Sequence, residues 1–281
     1  MRRPPALELI RARSLAEYHA QAKQLGAAWQ QHLALLAELE ARLPRHDRYR
    51  AWSWPAGRQV NFLIEGPKPV NWRETLRCPK TGLASRMRAS LHLFEQECRP
   101  RKDAAIYLME HDSPVYRLLR QRWPSLVGSE FLGDAFESGA MVNGRRHEDA
   151  TRLSFASDSL DCVLSFDVFE HVPDYRAALA ESCRVLRREG CLLLSVPFDI
   201  GSQANLVRAS HDSAGKLVHH VTPQYHGNPL SKEGILSYYT FGWELLEDAR
   251  AAGFSDAEAV LFWSEDYGYL GPAQVFFIAR K

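Results

Sequence analysis

Residues 158–198 read DSLDCVLSFDVFEHVPDYRAALAESCRVLRREGCLLLSVPF, and this stretch decides the fold. Leu160–Phe166 is a nearly continuous apolar run, which is typical of a strand covered on both faces in a parallel sheet. Asp174 is a candidate N-cap for the helix that follows, and Gly190 is expected to end that helix. Residues 191–196 form a second buried run. The stretch therefore predicts a strand–helix–strand unit of an α/β sheet.

Polar and ionisable residues are gathered where the first of these strands ends. Asp167 follows the apolar run at once, and Glu170 and His171 come three and four residues later. In open α/β sheets, ligands bind beyond the carboxyl ends of the strands. We therefore expect these three side chains to lie in the functional site.

The composition is that of an ordinary globular protein. The chain has 281 residues, of which 46% are hydrophobic and 25% are charged. A formal net charge of +1 gives no general attraction to a phosphate backbone, so the sequence argues against a nucleic-acid partner. No apolar run approaches the roughly 20 residues of a membrane helix, and the basic N-terminus lacks the apolar core of a secretory signal. Five scattered cysteines are most simply reduced core residues, so we expect a cytoplasmic protein.

The N-terminal region, residues 1–43, is predicted to be mainly helical. Its apolar positions follow a 4-3-4-3 spacing that is typical of a helix packed on another helix. The members of this seam are Tyr18, Ala22, Leu25, Trp29, His32, Leu36, Leu39 and Leu43. The helix is expected either to pack on its own domain or to form a homodimer, and the shortness of the repeat favours the first alternative.

Residues 44–102 change in texture and are rich in Pro, Gly and Trp. They predict a small, largely irregular subdomain held by tryptophans, with one strand over residues 59–64. A linking helix is expected over residues 83–98, and residues 100–103 are a plausible domain boundary.

Residues 103–281 show the regular alternation of a Rossmann-like domain. We expect a doubly wound, mostly parallel α/β sheet that ends in an antiparallel hairpin of strands 257–263 and 274–279. Earlier strands are predicted over residues 104–109, 126–129 and, weakly, 147–150. Helices are predicted over residues 114–123 and 235–252.

Four acidic residues stand at or just after the ends of successive predicted strands. Their separations are 20, 19 and 18 residues, and the residues are Glu110, Glu130, Asp149 and Asp167. A βα repeat of this length returns the chain to the same edge of the sheet each time. A carboxylate in the position of Glu130 suits two adjacent ribose hydroxyls. The alternative is a set of solvated acidic residues at the starts of loops.

The segment from Glu148 to Phe198, with FGWELLEDARAAGF (residues 241–254) and the final hairpin, resembles class I S-adenosylmethionine-dependent methyltransferases, most closely those acting on small molecules and glycans. The resemblance covers about residues 104–281. It implies that Glu130 binds the ribose, that Asp149 meets the adenine amino group, and that Phe166 and Asp167 lie near the methionine part. The candidate cofactor-binding residues are Glu110, His111, Ser113, Glu130, Asp149, Ala150, Phe166 and Asp167.

The chain departs from this family at its first motif. The family has an acidic residue followed by spaced glycines, whereas this chain reads Glu110-His111-Asp112-Ser113-Pro114. Glycines let a backbone approach a ligand closely, so a different loop is expected here. Ser113 and Pro114 are nevertheless good N-cap and first-turn residues for the next helix. A sulfonium cofactor needs no phosphate cradle, so cofactor binding remains the expectation.

Two groups of residues are candidates for the chemistry of methyl transfer. His171 is the candidate general base and Glu170 either orients it or caps the turn, because a hydroxyl acceptor benefits from a base that titrates near neutral pH. The alternative for His171 is a structural hydrogen bond between loop and helix. Tyr225, His226 and Asn228 are candidate acceptor-binding residues in a polar loop, and the alternative is a mobile polar loop or a metal-free lid.

No metal site is predicted from the sequence. Related methyltransferases can carry a zinc ribbon upstream, but Cys78 is followed by Thr81 where a second thiolate would stand, and tetrahedral zinc needs four ligands. His46 and Cys98 have no fixed spacing to it. The histidines near residue 220 also lack a convincingly spaced carboxylate.

The sequence thus predicts a methyltransferase that transfers a methyl group from S-adenosylmethionine to a hydroxyl of a small molecule or glycan. The alternative is a non-catalytic methyltransferase-like domain that serves as a binding or assembly partner, and the glycine-poor first motif favours it. A nucleotide-binding oxidoreductase is weaker, because the pyrophosphate-binding glycine turn is missing.

Overall fold

The structure is a computed structural model that describes residues 4–42, 47–66, 69–228 and 231–281; the side chains of residues 228 and 231–233 are not described. The chain divides into two compact units. The first comprises residues 1–12, 16–99 and 260–275, and the second comprises residues 13–15, 100–259 and 276–281. Leu43 of the predicted seam and His46 lie outside the described residues.

The first unit is built from a long helix, a hairpin and a second helix. Its elements are β1 (Ile10–Ala12), α1 (Leu15–Arg42), β2 (Arg48–Ser53), β3 (Arg58–Leu63), α2 (Ser85–Leu93) and a π-helical turn (Phe94–Cys98). Strands β2 and β3 pair antiparallel. The region expected to be irregular thus holds a regular hairpin.

The seam of helix α1 packs within the first unit. His32 is buried, with Nδ1 2.7 Å from a Glu265 carboxylate oxygen and Nε2 2.9 Å from the Gly271 carbonyl oxygen. Leu36 joins an apolar cluster that includes Phe62 and Trp72. The seam therefore serves the helix's own unit, and homodimerisation stays a prediction.

The second unit begins with the following elements: β4 (Ile106–Leu108), α3 (Pro114–Arg122), β5 (Val127–Gly128), β6 (Met141–Val142), β7 (Arg145–Arg146), β8 (Leu160–Phe166), a 3-10 turn (Phe169–His171), α4 (Tyr175–Val185) and β9 (Leu186–Ser195). It continues with β10 (Leu206–Val207), β11 (Ala209–His211), β12 (Leu217–His219), β13 (Tyr225–Asn228), β14 (Ser231–Leu236), β15 (Tyr239–Thr240) and α5 (Glu244–Ala251), and the last strands of the chain are β16 (Asp256–Ser264) and β17 (Tyr269–Arg280).

The main sheet has the order β1-β16-β17-β9-β8-β4-β5. Strands β5, β4, β8 and β9 pair in parallel, and β17 pairs antiparallel with β9. Buried Leu108, Leu164 and Leu193 stand in register across the three central strands. The expected Rossmann-like, mostly parallel sheet with antiparallel strands from the C-terminal end is confirmed.

Local capping chemistry sets the starts of two helices as predicted. The Ser113 hydroxyl accepts a hydrogen bond from the backbone N–H of Tyr116, with Pro114 in the first turn of α3. The Asp174 carboxylate accepts one from the backbone N–H of Ala177. Each cap satisfies a backbone donor that the first turn leaves free.

Gly190 does not end helix α4, because that helix already ends at Val185. Gly190 lies within strand β9, where a Cβ atom would stand 2.7 Å from the carbonyl oxygen of Arg187. Glycine is therefore required here because the backbone passes close to a carbonyl oxygen, and not because a helix ends.

The predicted helix over residues 235–252 begins only at Glu244. Residues 231–236 and 239–240 are strands, and a Cβ at Gly242 would lie 2.4 Å from the Ala204 carbonyl oxygen. The backbone at Gly242 packs closely against the Ala204 carbonyl oxygen, and helix α5 begins only after this contact.

The predicted strand over residues 147–150 is also wrong. Only isolated bridges occur there, one pairing Glu130 with His147 and one pairing Asp149 with Arg152. The Asp149 carboxylate accepts hydrogen bonds from the backbone N–H and hydroxyl of Thr151, which turns the chain away from the sheet.

Residues 199–240 form an excursion that leaves and re-enters the fold at one point. The backbone N–H of Asp199 donates to the Phe241 carbonyl oxygen at 2.8 Å, and the N–H of Phe241 donates to the Pro197 carbonyl oxygen at 2.8 Å. The excursion carries the short strands β10 to β15. It is thus closed at its base.

Among the described residues, no helix combines the length and apolar character that crossing a bilayer requires.

Arg184 fastens the segment before β8 to helix α4, which gives a first prediction. Its guanidinium donates to the Glu181 carboxylate and to the carbonyl oxygens of Leu153 and Phe155. We expect Arg184→Ala to lower the free energy of unfolding by about 1–3 kcal/mol, because charged hydrogen bonds are lost. Chemical denaturation measures this change. The exposed Arg188→Ala is the matched control, and an equal loss in both variants would contradict the role of Arg184.

Candidate functional site

The parallel strands bring the predicted acidic residues toward one edge of the sheet. Leu108 ends β4 and is in register with Gly128, which ends β5, and with Leu164, two residues before the end of β8. Glu110, Glu130 and Asp167 follow within two residues of these strand ends. We call this set of residues the acidic rim: Glu110, Glu130, Asp149 and Asp167. Asp149 lies close by in the chain, because the backbone N–H of Glu148 bonds to the Glu130 carbonyl oxygen at 3.3 Å.

Glu130 organises the loop that replaces the glycine-rich motif. One carboxylate oxygen of Glu130 accepts hydrogen bonds from the backbone N–H groups of His111 and Asp112, at 2.8 and 3.1 Å. The loop after β4 therefore wraps a carboxylate of its own chain. The second oxygen of Glu130 takes no part in these two bonds.

The same loop carries an ion pair that the sequence did not reveal. Arg145, on the hairpin of β6 and β7, donates to the Asp112 carboxylate at 2.6 Å. Burial would raise the pKa of Asp112, but hydrogen bonds from His111 and Arg145 hold that pKa below its ordinary value. Asp112 is therefore a carboxylate that fixes the loop, and nothing in the spacing of the sequence pointed to Arg145 as its partner.

The remaining acidic residues of the rim are held in different ways. Glu110 is half-buried. The Asp167 carboxylate accepts a hydrogen bond from the Ser195 hydroxyl at 3.1 Å, and its backbone adopts a positive φ of 57°. Asp149 uses one oxygen to cap its own turn. Glu130, Asp149 and Asp167 are thus oriented by hydrogen bonds from neighbouring groups.

Two aromatic rings stand near the rim. Phe131, which follows Glu130, is 53% exposed and lies 5.4 Å from the ring of buried His147. Phe166 is buried against Phe276, so its ring belongs to the core. An exposed ring next to a carboxylate is a surface on which a base can stack. Phe131 was not predicted as a site residue, although it directly follows Glu130 in the sequence.

A second group of side chains gathers beyond the end of β8; we call Glu170, His171 and His226 the Glu–His–His cluster. Glu170 and His171 lie in the 3-10 turn, and His226 lies in strand β13. A Glu170 oxygen is 3.6 Å from His171 Nε2 and 3.4 Å from His226 Nδ1. The two imidazole rings meet edge to face with centroids 5.0 Å apart.

The side chains of this cluster are largely shielded from solvent. The Glu170 side chain has no exposed surface, and those of His171 and His226 are 9% and 26% exposed. Burial lowers the pKa of His171, against the opposite effects of Glu170 and of the Leu236 carbonyl. A neutral imidazole is thereby favoured, with a basic ring nitrogen.

The remaining predicted site residues are Tyr225, Ala150 and Asn228. Tyr225 is 57% exposed at the start of β13. Ala150 is half-buried in the turn at Asp149. The side chain of Asn228 lies outside the described residues, so its predicted role stays a prediction. Two cavities of about 360 and 450 Å³ in the first unit contain no residue of the rim or the cluster.

The fold is a Rossmann-like α/β sheet, and the rim places carboxylates at the carboxyl edge, where open α/β sheets bind their ligands. Residues 127–194, less than half of the chain, match a family model described as "Methyltransferase domain". This match confirms the resemblance to class I S-adenosylmethionine-dependent methyltransferases. No curated protein is significantly similar to the chain in sequence.

Many solved structures are similar to this chain. The 1,6-didemethyltoxoflavin-N1-methyltransferase of Burkholderia thailandensis is 19% identical, with 69% of this chain and 77% of that chain covered and a TM-score of 0.40. An S-adenosylmethionine-dependent methyltransferase of Mesorhizobium loti is 14% identical over 70% of this chain and 98% of that chain, with a TM-score of 0.42. A chain of the complex between the Haloferax volcanii Trm112 methyltransferase activator and a methyltransferase is 14% identical over 70% and 94%, with a TM-score of 0.40.

The close packing behind the rim gives a second prediction. A Cβ at Gly128 would lie 2.6 Å from the Glu110 carbonyl oxygen and 2.5 Å from the Tyr116 ring. We expect Gly128→Ala to lower the free energy of unfolding by about 1–3 kcal/mol, since backbone and ring must shift. Chemical denaturation tests this. Gly201→Ala, where the nearest atom is 3.5 Å away, is the control. Equal stability of Gly128→Ala and the wild type would contradict this packing.

Proposed function

We propose that the second unit binds S-adenosylmethionine at the acidic rim and transfers its methyl group to a hydroxyl of a small molecule or glycan. The observation that carries this proposal is Glu130 at the end of β5, inside a segment that matches a methyltransferase domain. When bound, the cofactor supplies an electrophilic methyl group. The protein's part is to hold the nucleoside, align the acceptor and exclude water.

The rim offers complementary groups for a nucleoside. We assign the ribose hydroxyls to the Glu130 carboxylate, whose second oxygen takes no part in the bonds that hold the loop. Phe131 is assigned to one face of the base, because its ring is exposed next to Glu130. Asp149 is proposed near the adenine amino group, and Asp167 near the methionine part, as the resemblance implies.

The missing glycines are compatible with this cofactor. In the loop after β4, the backbone N–H groups of His111 and Asp112 donate to the Glu130 carboxylate, so these donors are not available to a phosphate. A sulfonium nucleoside has no pyrophosphate that would need them. The residues present therefore fit an adenosyl group better than a dinucleotide, which supports a methyltransferase over an oxidoreductase.

The Glu–His–His cluster is proposed as the acceptor side of the site. His171 Nδ1 lies 2.8 Å from the Leu236 carbonyl oxygen, to which it must donate, so Nε2 is the basic nitrogen. His171 would accept the hydroxyl proton at Nε2 while Glu170 stabilises the resulting charge. Tyr225 and Asn228, on the same strand as His226, are proposed to contact the acceptor.

The alternative of an assembly partner without activity is kept as a second outcome of the tests. The loop that replaces the glycine motif was its support, and that loop is held by Glu130 and Arg145. A rim whose carboxylate serves only to fix this loop would bind no nucleoside.

Cofactor binding gives the third prediction. We expect Glu130→Gln to weaken S-adenosylhomocysteine binding about 10- to 100-fold, because a charged hydrogen bond to ribose is lost. Isothermal titration calorimetry measures this, with the exposed Glu137→Gln as a control for charge. If the wild type binds no S-adenosylhomocysteine, the assembly role is favoured instead. Equal binding by wild type and Glu130→Gln removes Glu130 from the site.

Methyl transfer gives the fourth prediction. With labelled S-adenosylmethionine and a panel of hydroxyl acceptors, we expect His171→Ala to lower kcat about 100-fold or more while S-adenosylhomocysteine affinity is unchanged. His219→Ala, on an exposed strand, is the control. A parallel loss of cofactor affinity in His171→Ala would show that His171 only supports the fold of the loop.

A further inference from the structure

The Glu–His–His cluster brings three metal-binding side chains to one point. One ligand atom from each of Glu170, His171 and His226 lies within 4.8 Å of the other two, and no other such group occurs in the described part of the chain. The sequence predicted no metal site, because Glu170 and His226 lie in separate elements. Their spacing in the sequence does not show that the fold brings them together. Their convergence is a property of the fold.

The buried carboxylate is the second observation that points to a ligand. Within the described residues, neither carboxylate oxygen of Glu170 has a hydrogen-bond partner, and its side chain has no exposed surface. Its contacts with the two histidines, at 3.6 and 3.4 Å, lie outside hydrogen-bond geometry. A buried, unbonded carboxylate is costly unless a cation compensates it.

The orientation of His171 is fixed in the manner of a metal ligand. Because its Nδ1–H donates to the Leu236 carbonyl oxygen at 2.8 Å, its Nε2 presents a lone pair toward Glu170. Metal-bound histidines commonly donate the other ring N–H to a backbone carbonyl. Lone pairs of a carboxylate and an imidazole therefore face each other, and a positive charge between them relieves the repulsion.

The distances suit a tetrahedral cation. Zinc–nitrogen and zinc–oxygen bonds of about 2.1 Å at tetrahedral angles place neighbouring ligand atoms about 3.4 Å apart, whereas octahedral angles place them about 3.0 Å apart. The Glu170 oxygen lies 3.4 Å from His226 Nδ1 and 3.6 Å from His171 Nε2. Both separations match the tetrahedral edge more closely.

We infer that Glu170, His171 and His226 bind a divalent cation of the zinc class, leaving one coordination position open. Two imidazoles and one carboxylate are a donor set of catalytic zinc sites, which keep the fourth position for water or substrate. The inference rests on the proposed function only in assigning that position to the oxygen of the acceptor hydroxyl, whose pKa the cation would lower.

This inference changes how the acceptor loses its proton. A cation on Nε2 occupies the nitrogen that a free general base would use, so the two roles of His171 exclude each other. With a cation bound, the acceptor hydroxyl would lose its proton to solvent, and its oxygen would bond to the methyl carbon as the carbon–sulfur bond of S-adenosylmethionine breaks and S-adenosylhomocysteine leaves. Metal binding therefore decides between the two descriptions of the site.

The test is direct binding of Zn²⁺ to the whole chain. Protein freed of metal by a chelator is titrated with Zn²⁺ by calorimetry, and with Co²⁺ by visible absorption. We expect a single site per chain and the strong absorption of four-coordinate cobalt. Glu170→Gln and His226→Ala should each weaken Zn²⁺ binding at least about 100-fold. His219→Ala should bind as the wild type does.

The controls separate misfolding from loss of a ligand. His226 is 26% exposed, so its replacement leaves the core intact even if Glu170→Gln disturbs it. Circular dichroism checks both variants. Absence of a Zn²⁺ site in the wild type, or Zn²⁺ affinity of His226→Ala equal to that of the wild type, overturns the inference.

Cofactor titrations on the same proteins keep the two proposals apart. Glu130→Gln should lose S-adenosylhomocysteine affinity and keep the Zn²⁺ site, whereas His226→Ala should show the reverse. A wild type that binds Zn²⁺ but no S-adenosylhomocysteine overturns the proposed function alone. One that binds S-adenosylhomocysteine but no Zn²⁺ overturns the metal site alone.

Discussion

The parallel register of β5, β4, β8 and β9 is the constraint on which the candidate site depends. Because their ends align, the residues that follow each strand emerge on one edge of the sheet. The alignment is held by buried aliphatic side chains and by the backbone ladder, both remote from the chemistry. The site can therefore be polar and partly strained, as at the positive φ of Asp167, because its position is set elsewhere.

The two halves of the candidate site differ in how they are built. Around the rim, three carboxylates are held by neighbouring groups: Glu130 by two backbone N–H groups, Asp167 by the Ser195 hydroxyl, and Asp112, in the loop after β4, by Arg145. In the Glu–His–His cluster, the described residues leave both Glu170 oxygens without a hydrogen bond. The first arrangement is suited to presenting a fixed acidic surface to a neutral nucleoside. The second favours a positive charge, either a proton or a cation.

Much of the fold was predictable from the sequence, because its signals are local. The apolar run of β8 and the caps at Ser113 and Asp174 depend on neighbours within a few residues, and each was predicted correctly. The role of Gly190 and the start of the helix predicted from residue 235 were wrong, because Gly190 and Gly242 approach backbone oxygens whose positions a sequence pattern does not give. The site shows the same division. Individual residues such as Glu170 and His226 were named, but their approach across the excursion, like that of Arg145 to Asp112, is a tertiary property.

The closed base of residues 199–240 has a consequence for how the domain can diversify. Its entry and exit are hydrogen-bonded to each other between Pro197, Asp199 and Phe241, so the two ends of the segment are held together whatever its length. The entropy of closing a flexible loop grows only slowly with length, by about 0.6 kcal/mol for each doubling. Insertions in the exposed turn between β11 and β12, residues 212–216, should therefore cost little stability, whereas His226 and Leu236 constrain the part of the segment that contacts the cluster.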